Sequence, residues 1–140
     1  MRKILIPIDA SDCAKRAAQH AASMAIENPE LQLHLLNVQE PLEPRVHAAL
    51  SAQEIKSMQA TDSKRVMQPV MQLLDNAGVP YRTEWRAGEV AQTIASYAEE
   101  IGCESIVMGT RGMGTIGNLI MGSVALKVTH LVTVPVTLVK

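Results

Sequence analysis

The sequence predicts an α/β fold, a parallel sheet with helices on both faces, and three observations carry that expectation. Short apolar runs alternate with longer segments of helical periodicity in the order βαβαβαβαβ. Two of those runs, "KILIPI" and "SIVM", are apolar almost throughout, as strands buried on both faces are. A length of 140 residues, with 47% hydrophobic and 19% charged side chains, suits one globular domain around one core.

The first strand is expected over residues 3–8, with Pro7 tolerated because it lies at the end. Ser11 is placed to cap the next helix, in which Ala14, Ala17, Ala18, Ala21, Ala22 and Ala25 recur on one face. Side chains that small let a helix sit close to a sheet. "LQLHLLNV" (residues 31–38) reads as the second strand. Residues 39–50, with Pro41 and Pro44, form the one long loop and the candidate for a mobile flap. Ser51 and Glu54 have capping-box spacing and open a long helix that ends near Gly78 and is expected to kink at Pro69. In "YRTEWR" (residues 81–86), Tyr81, Thr83 and Trp85 alternate strictly with charges, which predicts an edge strand with one solvated face. A helix over residues 89–101 precedes the strand "SIVMG", and a helix over residues 123–130 precedes the last strand within "VPVTLVK".

Composition excludes several function classes. With 13 Lys+Arg against 14 Asp+Glu the net charge is -1, so no basic field draws in nucleic acid or an anionic membrane. Aromatic side chains make up 2% of the chain, too few for base-stacking platforms. The apolar opening stops at Asp9, short of a signal peptide's core, and no run approaches the ~20 residues of a membrane span. A cytosolic protein is expected. His20, His34, His47 and His130 lie far apart without zinc spacing, so no metal held by protein ligands is expected. Cys13 follows the first strand and Cys103 precedes the fourth, at opposite ends of a sheet about 16–20 Å long. No disulfide should join them within one molecule, because that requires Cα atoms within roughly 7 Å.

The stretch "GTRGMGTIGNLIMGS" (residues 109–123) is the strongest functional signal. Gly112, Gly114 and Gly117 match a dinucleotide fingerprint, but in the wrong βαβ unit and with no Asp or Glu after Glu104 to hold a ribose. A Walker A loop fails because no Lys-Ser/Thr pair follows the last glycine. A different phosphate cradle remains. Glycines at positive φ let several N–H groups converge on one anion, and the helix start after Gly122 and Ser123 adds its positive end and a hydroxyl. Arg111, Lys127 and Lys140, with no acid among them, make this quarter of the chain locally positive.

The spacing Gly109-x2-Gly112-x9-Gly122-Ser123 resembles the G-2x-G-9x-G-(S/T) nucleotide motif of the universal stress protein family. "KILIPIDASDCAKRAAQHA", "LHLLNV" and "VPVTLV" are similar to that family's first strand and helix, second strand and last strand, so the likeness covers essentially the whole chain. Departures are small: Glu104 and Ser105 stand where an Asp-Leu pair is common, and residues 39–50 do not align. The resemblance implies a single domain over residues 1–140, with a five-stranded parallel sheet in the order 3-2-1-4-5 and an adenine nucleotide alpha hydrolase-like fold.

It also implies a ligand, ATP, with Mg2+ bound through the phosphates. By resemblance to the ATP-binding branch, Pro7, Ile8, Asp9 and the backbone at Val38 hold adenosine. Residues 108–112, with Met108, Gly109, Arg111 and Gly112, wrap ribose and phosphates, and Gly122, Ser123 and Val124 meet the distal phosphates. The implied protein is a homodimeric, nucleotide-dependent switch in stress signalling, paired along residues 134–139 and acting on an unidentified protein partner. Val134, Val136, Leu138 and Val139 form the kind of apolar edge that needs covering. The alternatives are a slow ATPase or autophosphorylating protein, and a nucleotide-free dimeric interaction module. Asp9 is the one acid in the matched site and lies at the adenosine end, so efficient phosphoryl chemistry lacks a base.

Overall fold

The structure, a computed structural model, describes residues 2–111 and 121–140. Five parallel strands, β1 (Arg2–Pro7), β2 (Leu31–Gln39), β3 (Tyr81–Ala87), β4 (Ser105–Gly109) and β5 (Val136–Val139), lie in the order β3-β2-β1-β4-β5. Strand order and direction agree with expectation. Helices α1 (Asp12–Glu27) and α3 (Ala52–Ala77) pack on one face over Ile4, Ile6, Leu33, Leu35 and Val107. Helices α4 (Val90–Ile101) and α5 (Ser123–Leu131) cover the other face over Leu5, Leu36, Ile106 and Met108. The central strands feed both cores, which is why their sequences do not alternate.

Local signals set most of the boundaries. Ser11 caps α1, its Oγ accepting from Ala14 N at 3.1 Å, and all six alanines of the expected face are buried. Ser51 and Glu54 form the reciprocal capping box of α3, and Gly78 ends that helix at φ 70, a left-handed conformation that costs glycine little. Pro69 lies inside α3, which is assigned as one continuous helix of 26 residues. Pro69 and Arg65, whose carbonyl loses its helical partner there, are both exposed residues.

Two expectations need correction. The segment of residues 39–50 is not all loop, because it contains a short helix, α2 (Pro44–Ala49), with Pro44 at its start. Proline is pre-organised for that position, but α2 buries none of its residues and so leaves no apolar stripe to read. The charged face of β3 is not fully solvated. Arg86 and Glu84 are half-buried, with the Arg86 guanidinium 5.0 Å from the Tyr97 ring centre and also paired with Glu100 at 2.8 Å. The two cysteines, as expected, are unbridged, and both are buried.

Candidate functional site

Parallel sheets that reverse their winding leave a crevice where the two directions part, beyond the carboxyl ends of the strands. Here it opens between β1 and β4 as a cleft of about 220 Å3. Pro7, Ile8, Asp9, Val38, Met108, Gly109, Arg111, Gly122, Ser123 and Val124 all line it. Gly112 lies outside the described residues. The structure thus brings together every other residue singled out for the site from sequence.

The exit from β1 is fixed by hydrogen bonds. Ile8 N donates to Leu36 O at 2.8 Å, and the buried Asn37 amide returns a bond to Ile8 O at 2.8 Å. Asp9 then turns back on the α1 cap, its Oδ1 accepting from Ser11 N at 2.9 Å and from the Ser11 hydroxyl. That carboxylate is a structural acceptor as well as a wall of the cleft.

The exit from β4 depends on close approach. A Cβ on Gly109 would stand 2.6 Å from Cys13 Cβ, 2.8 Å from Cys13 C and 3.0 Å from Ala14 N. Glycine is required there because the first turn of α1 lies against the strand. Positive φ plays no part at Gly109 or at Gly122, whose φ is -74, so the expectation of left-handed glycines is corrected at both positions. Thr110 follows, its N–H donating to Val139 O at 2.8 Å and its carbonyl accepting from Gly122 N at 2.5 Å. This residue joins β5 to the start of α5.

Helix α5 begins at Gly122 without a side-chain cap, and its first helical bond runs from Leu126 N to Gly122 O. The N–H of Gly122 is taken by Thr110. Those of Ser123, Val124 and Ala125 belong to the first turn, where no intrahelical acceptor exists, and these residues line the cleft. Together with Arg111 they give that wall a positive character. Asp9 and Glu40 line the cleft as carboxylates from the ends of β1 and β2. The cleft is therefore bipolar, acidic beside β1 and β2 and anion-seeking beside β4 and α5. At α4, Glu89 caps the helix through Gln92 N at 2.8 Å and pairs with Lys127 at 3.6 Å; both interactions hold its carboxyl below the usual range, the backbone bond most.

Sequence reasoning missed Leu36, Glu40, Val90, Ile94 and Ala125 as lining residues, read Ser11 only as a cap and Ala14 only as a packing residue, and covered Thr110 only within the range 108–112. Val90 and Ile94 lie four apart on the inward face of α4 and look like ordinary core; no signal separates them from it. Thr110 sits inside the glycine motif and was open to view. Among the described residues no cluster of His, Cys, Asp or Glu is arranged to hold a metal, and no helix is long and apolar enough to cross a membrane. Chemically, the cleft offers an apolar slot leading to a helix start whose first-turn N–H groups have no intrahelical acceptor.

An open α/β sheet with such a slot at its winding reversal belongs to the doubly wound class of α/β folds. Comparison narrows the class: the universal stress protein family profile matches residues 1–140, and the chain belongs to that family. It is 31% identical to universal stress protein MJ0531 of Methanocaldococcus jannaschii over 99% of this chain and 82% of that protein. The solved structure of MJ0577, from the same archaeon, superposes with a TM-score of 0.84 at 27% identity, covering 99% of this chain and 95% of the other. The universal stress protein of Archaeoglobus fulgidus in complex with dAMP shares the fold, with a TM-score of 0.70, 20% identity and coverage of 100% and 98%.

Proposed function

We propose that this stress protein binds ATP, or a closely related adenine nucleotide, in the cleft between β1 and β4 and works as a homodimeric switch whose partner contacts follow its nucleotide state. The observation that carries the reading is convergence: residues drawn from five separate stretches of sequence line one cleft with an apolar end and an anion-seeking end. Ile8, Leu36, Val38, Ile94 and Met108 suit a purine, with Pro7 and Asp9 flanking the nucleoside. Arg111, the Ser123 hydroxyl and the first-turn N–H groups at Ser123 and Val124 suit a phosphate chain. Gly109 and Gly122 keep side chains out of its path, and Gly112 belongs to the same loop. Bound Mg2+ would travel with the phosphates. That A. fulgidus relative with dAMP supports an adenine ligand.

The reading is of a binding protein rather than an efficient enzyme. Asp9 is engaged by Ser11, and no other lining residue except Glu40 offers a base, so turnover would be limited to slow hydrolysis or self-phosphorylation. A cytosolic location and a single domain over residues 1–140 go with it. Acid quenching of purified protein followed by mass spectrometry is expected to release an adenine nucleotide, and calorimetry to give ATP binding. Failure of ATP, AMP and cAMP alike to bind at millimolar concentration would leave the nucleotide-free interaction module.

For the dimer, the supporting feature is β5. It ends the sheet beside β4, and Val136 and Leu138 stay half-exposed although they touch the second core. Pro135 precedes the strand and does not interrupt its ladder. Val136→Asp with Leu138→Lys should turn a dimer into a folded monomer in sedimentation; a wild type already monomeric at micromolar concentration would exclude pairing through this edge.

A further inference from the structure

Lys3 of β1, Gln32 and His34 of β2 and Arg82 of β3 lie on one face of the sheet, the face carrying Leu5 and Leu36 against which α4 packs. The register sets Lys3 beside Gln32 and places His34 between Leu5 and Arg82. His34 is 6% exposed, with Nε2 3.0 Å from Gln32 Oε1, whereas Arg82 is exposed and Lys3 half-buried. Lys3 Nζ reaches Ile101 O at 3.1 Å, which occupies one of its three donors. Neither Lys3 nor Arg82 belongs to an ion pair among the described residues, and these include every Asp and Glu of the sequence. The nearby acids are committed elsewhere: Glu84, next along this face of β3, and Glu100 of α4 both pair with Arg86. Tyr97, also of α4, is pushed above its ordinary value by burial and stays neutral.

Two cations thus flank a buried imidazole in a protein of net charge -1, and the chain supplies no carboxylate to answer them. Burial first, and then the charges of Lys3 and Arg82, hold His34 below 6.5. Neighbouring strands lie about 4.8 Å apart, so the backbones at Lys3 and Arg82 are separated by about two spacings. Two long side chains close such a gap around one small oxyanion, through charge-assisted hydrogen bonds. We infer that Lys3, His34 and Arg82 form an anion site on the β2–β3 flank of the sheet, one that takes a single oxyanion of the phosphate class and is separate from the nucleotide cleft. Leu36, two residues further along the same face, is fully buried and already lines the cleft, so His34 lies behind the cleft wall rather than in it. β3 ends the sheet opposite β5, which leaves this flank clear of the proposed dimer edge. Bound anion and imidazolium favour each other, because an anion between the two cations removes the repulsion that keeps His34 neutral.

The test follows the His34 ring resonance by NMR through a pH titration of the full chain, in sodium chloride and in excess inorganic phosphate at equal ionic strength. Phosphate should raise the His34 midpoint by about 0.5 or more in pH, which corresponds to about threefold tighter binding by the protonated form. Arg82→Gln, at an exposed position, should leave the fold intact and abolish most of that rise, and Lys3→Gln should reduce it. In chloride, Arg82→Gln should itself raise the midpoint, since one repelling cation is gone; a midpoint unchanged there would mean that Arg82 does not face His34, and the site fails. A wild-type midpoint that phosphate does not move overturns the inference, as does an equal rise in wild type and Arg82→Gln. Phosphate held in the nucleotide cleft instead would shift the amides of Ser123 and Val124 and leave His34 where it was, which also counts against the site and leaves the nucleotide reading standing.

Discussion

At the amino ends of the central strands β1 and β4 the charged side chains are answered by protein. Arg2 donates to both carboxylate oxygens of Glu104, at 2.7 and 2.5 Å, Glu104 N donates to Lys3 O at 2.8 Å, and Lys3 Nζ reaches Ile101 O at 3.1 Å. The helices arriving at that end, α3 and α4, are closed by left-handed Gly78 and Gly102. At the carboxyl ends several polar groups face a cleft instead: a helix start without a side-chain cap, the Thr110 hydroxyl, buried and without a partner among the described residues, and Arg111 and Glu40, neither in an ion pair among the described residues. The difference teaches where each kind of free energy lies. At β1 and β4 the amino end closes its charges on the chain, whereas the carboxyl end leaves part of its hydrogen-bonding capacity unused beside the cleft.

The sharpest way to break that division is at Gly109, where the cleft wall is also a packing contact. Gly109→Val would push a branched side chain into the backbone of Cys13 and Ala14, atoms that cannot swing aside as a flexible side chain would. Overpacking of this kind costs about 1–3 kcal/mol and more where backbone must shift. A clear fall in the urea midpoint is expected and, under the proposed nucleotide reading, a loss of ATP binding with it. A variant as stable as wild type would mean that α1 and β4 separate easily, and the division would be wrong at that point.

Ser123→Ala should affect function alone. Ser123 is exposed and caps nothing, so stability should stay within about 0.5 kcal/mol of wild type. Under the proposed phosphate role, ATP affinity should fall by about 1.5–3 kcal/mol, the range for a hydrogen bond to a charged group. Equal ATP affinities in calorimetry would assign the phosphates to backbone groups.

How much of this was legible in the sequence follows the same division. The strands and helix limits came from apolar runs and from caps such as Ser11, Ser51 with Glu54, and Gly78, all of which act within a few residues, whereas the order of the strands in the sheet came from the family resemblance. α2 was not legible because it buries nothing, and the cover on β3 was not because periodicity scores Arg86 as polar, while its guanidinium lies over Tyr97. The motif announced Gly109 and Gly122, but not that Gly109 is bare for the sake of Cys13, a contact across the fold. Thr110 was legible as a letter and not as a buried hydroxyl. Its burial and bonds depend on β5 and α5 arriving from later in the chain.

Toward the amino end, His34 supplies a pH dependence. It is buried on β2 between Leu5 of β1 and Arg82 of β3, with Nε2 3.0 Å from Gln32 Oε1. Burial, and then the charges of Lys3 and Arg82, pull its pKa below the ordinary 6.5. The unfolded chain therefore takes up the proton first as pH falls, and stability declines from near pH 6.5 downward until the folded state also protonates. His34→Gln, which keeps a polar side chain beside Gln32, should flatten the stability-pH curve in that window. A wild type with the same slope as the variant would mean that His34 is solvated in practice.

The smallest effect expected is at the Arg2–Glu104 pair, which closes the amino end but sits at the surface, with side chains 49% and 44% exposed. The Arg2 hydrogen bonds, and next its charge, hold the Glu104 carboxyl below its ordinary value of 4.5. Because the folded pKa lies below the unfolded one, the contribution is complete at neutral pH and is lost as acid titrates the carboxylate below about pH 4.5. Glu104→Gln should lower the urea midpoint only slightly at pH 7, since exposed pairs contribute little against screening and side-chain entropy. The gap from wild type should narrow in 1 M salt, where the Debye length falls to about 3 Å, and close in strong acid. A gap that survives both salt and acid would mean that the Glu104 side chain contributes through packing or neutral hydrogen bonding rather than through its charge.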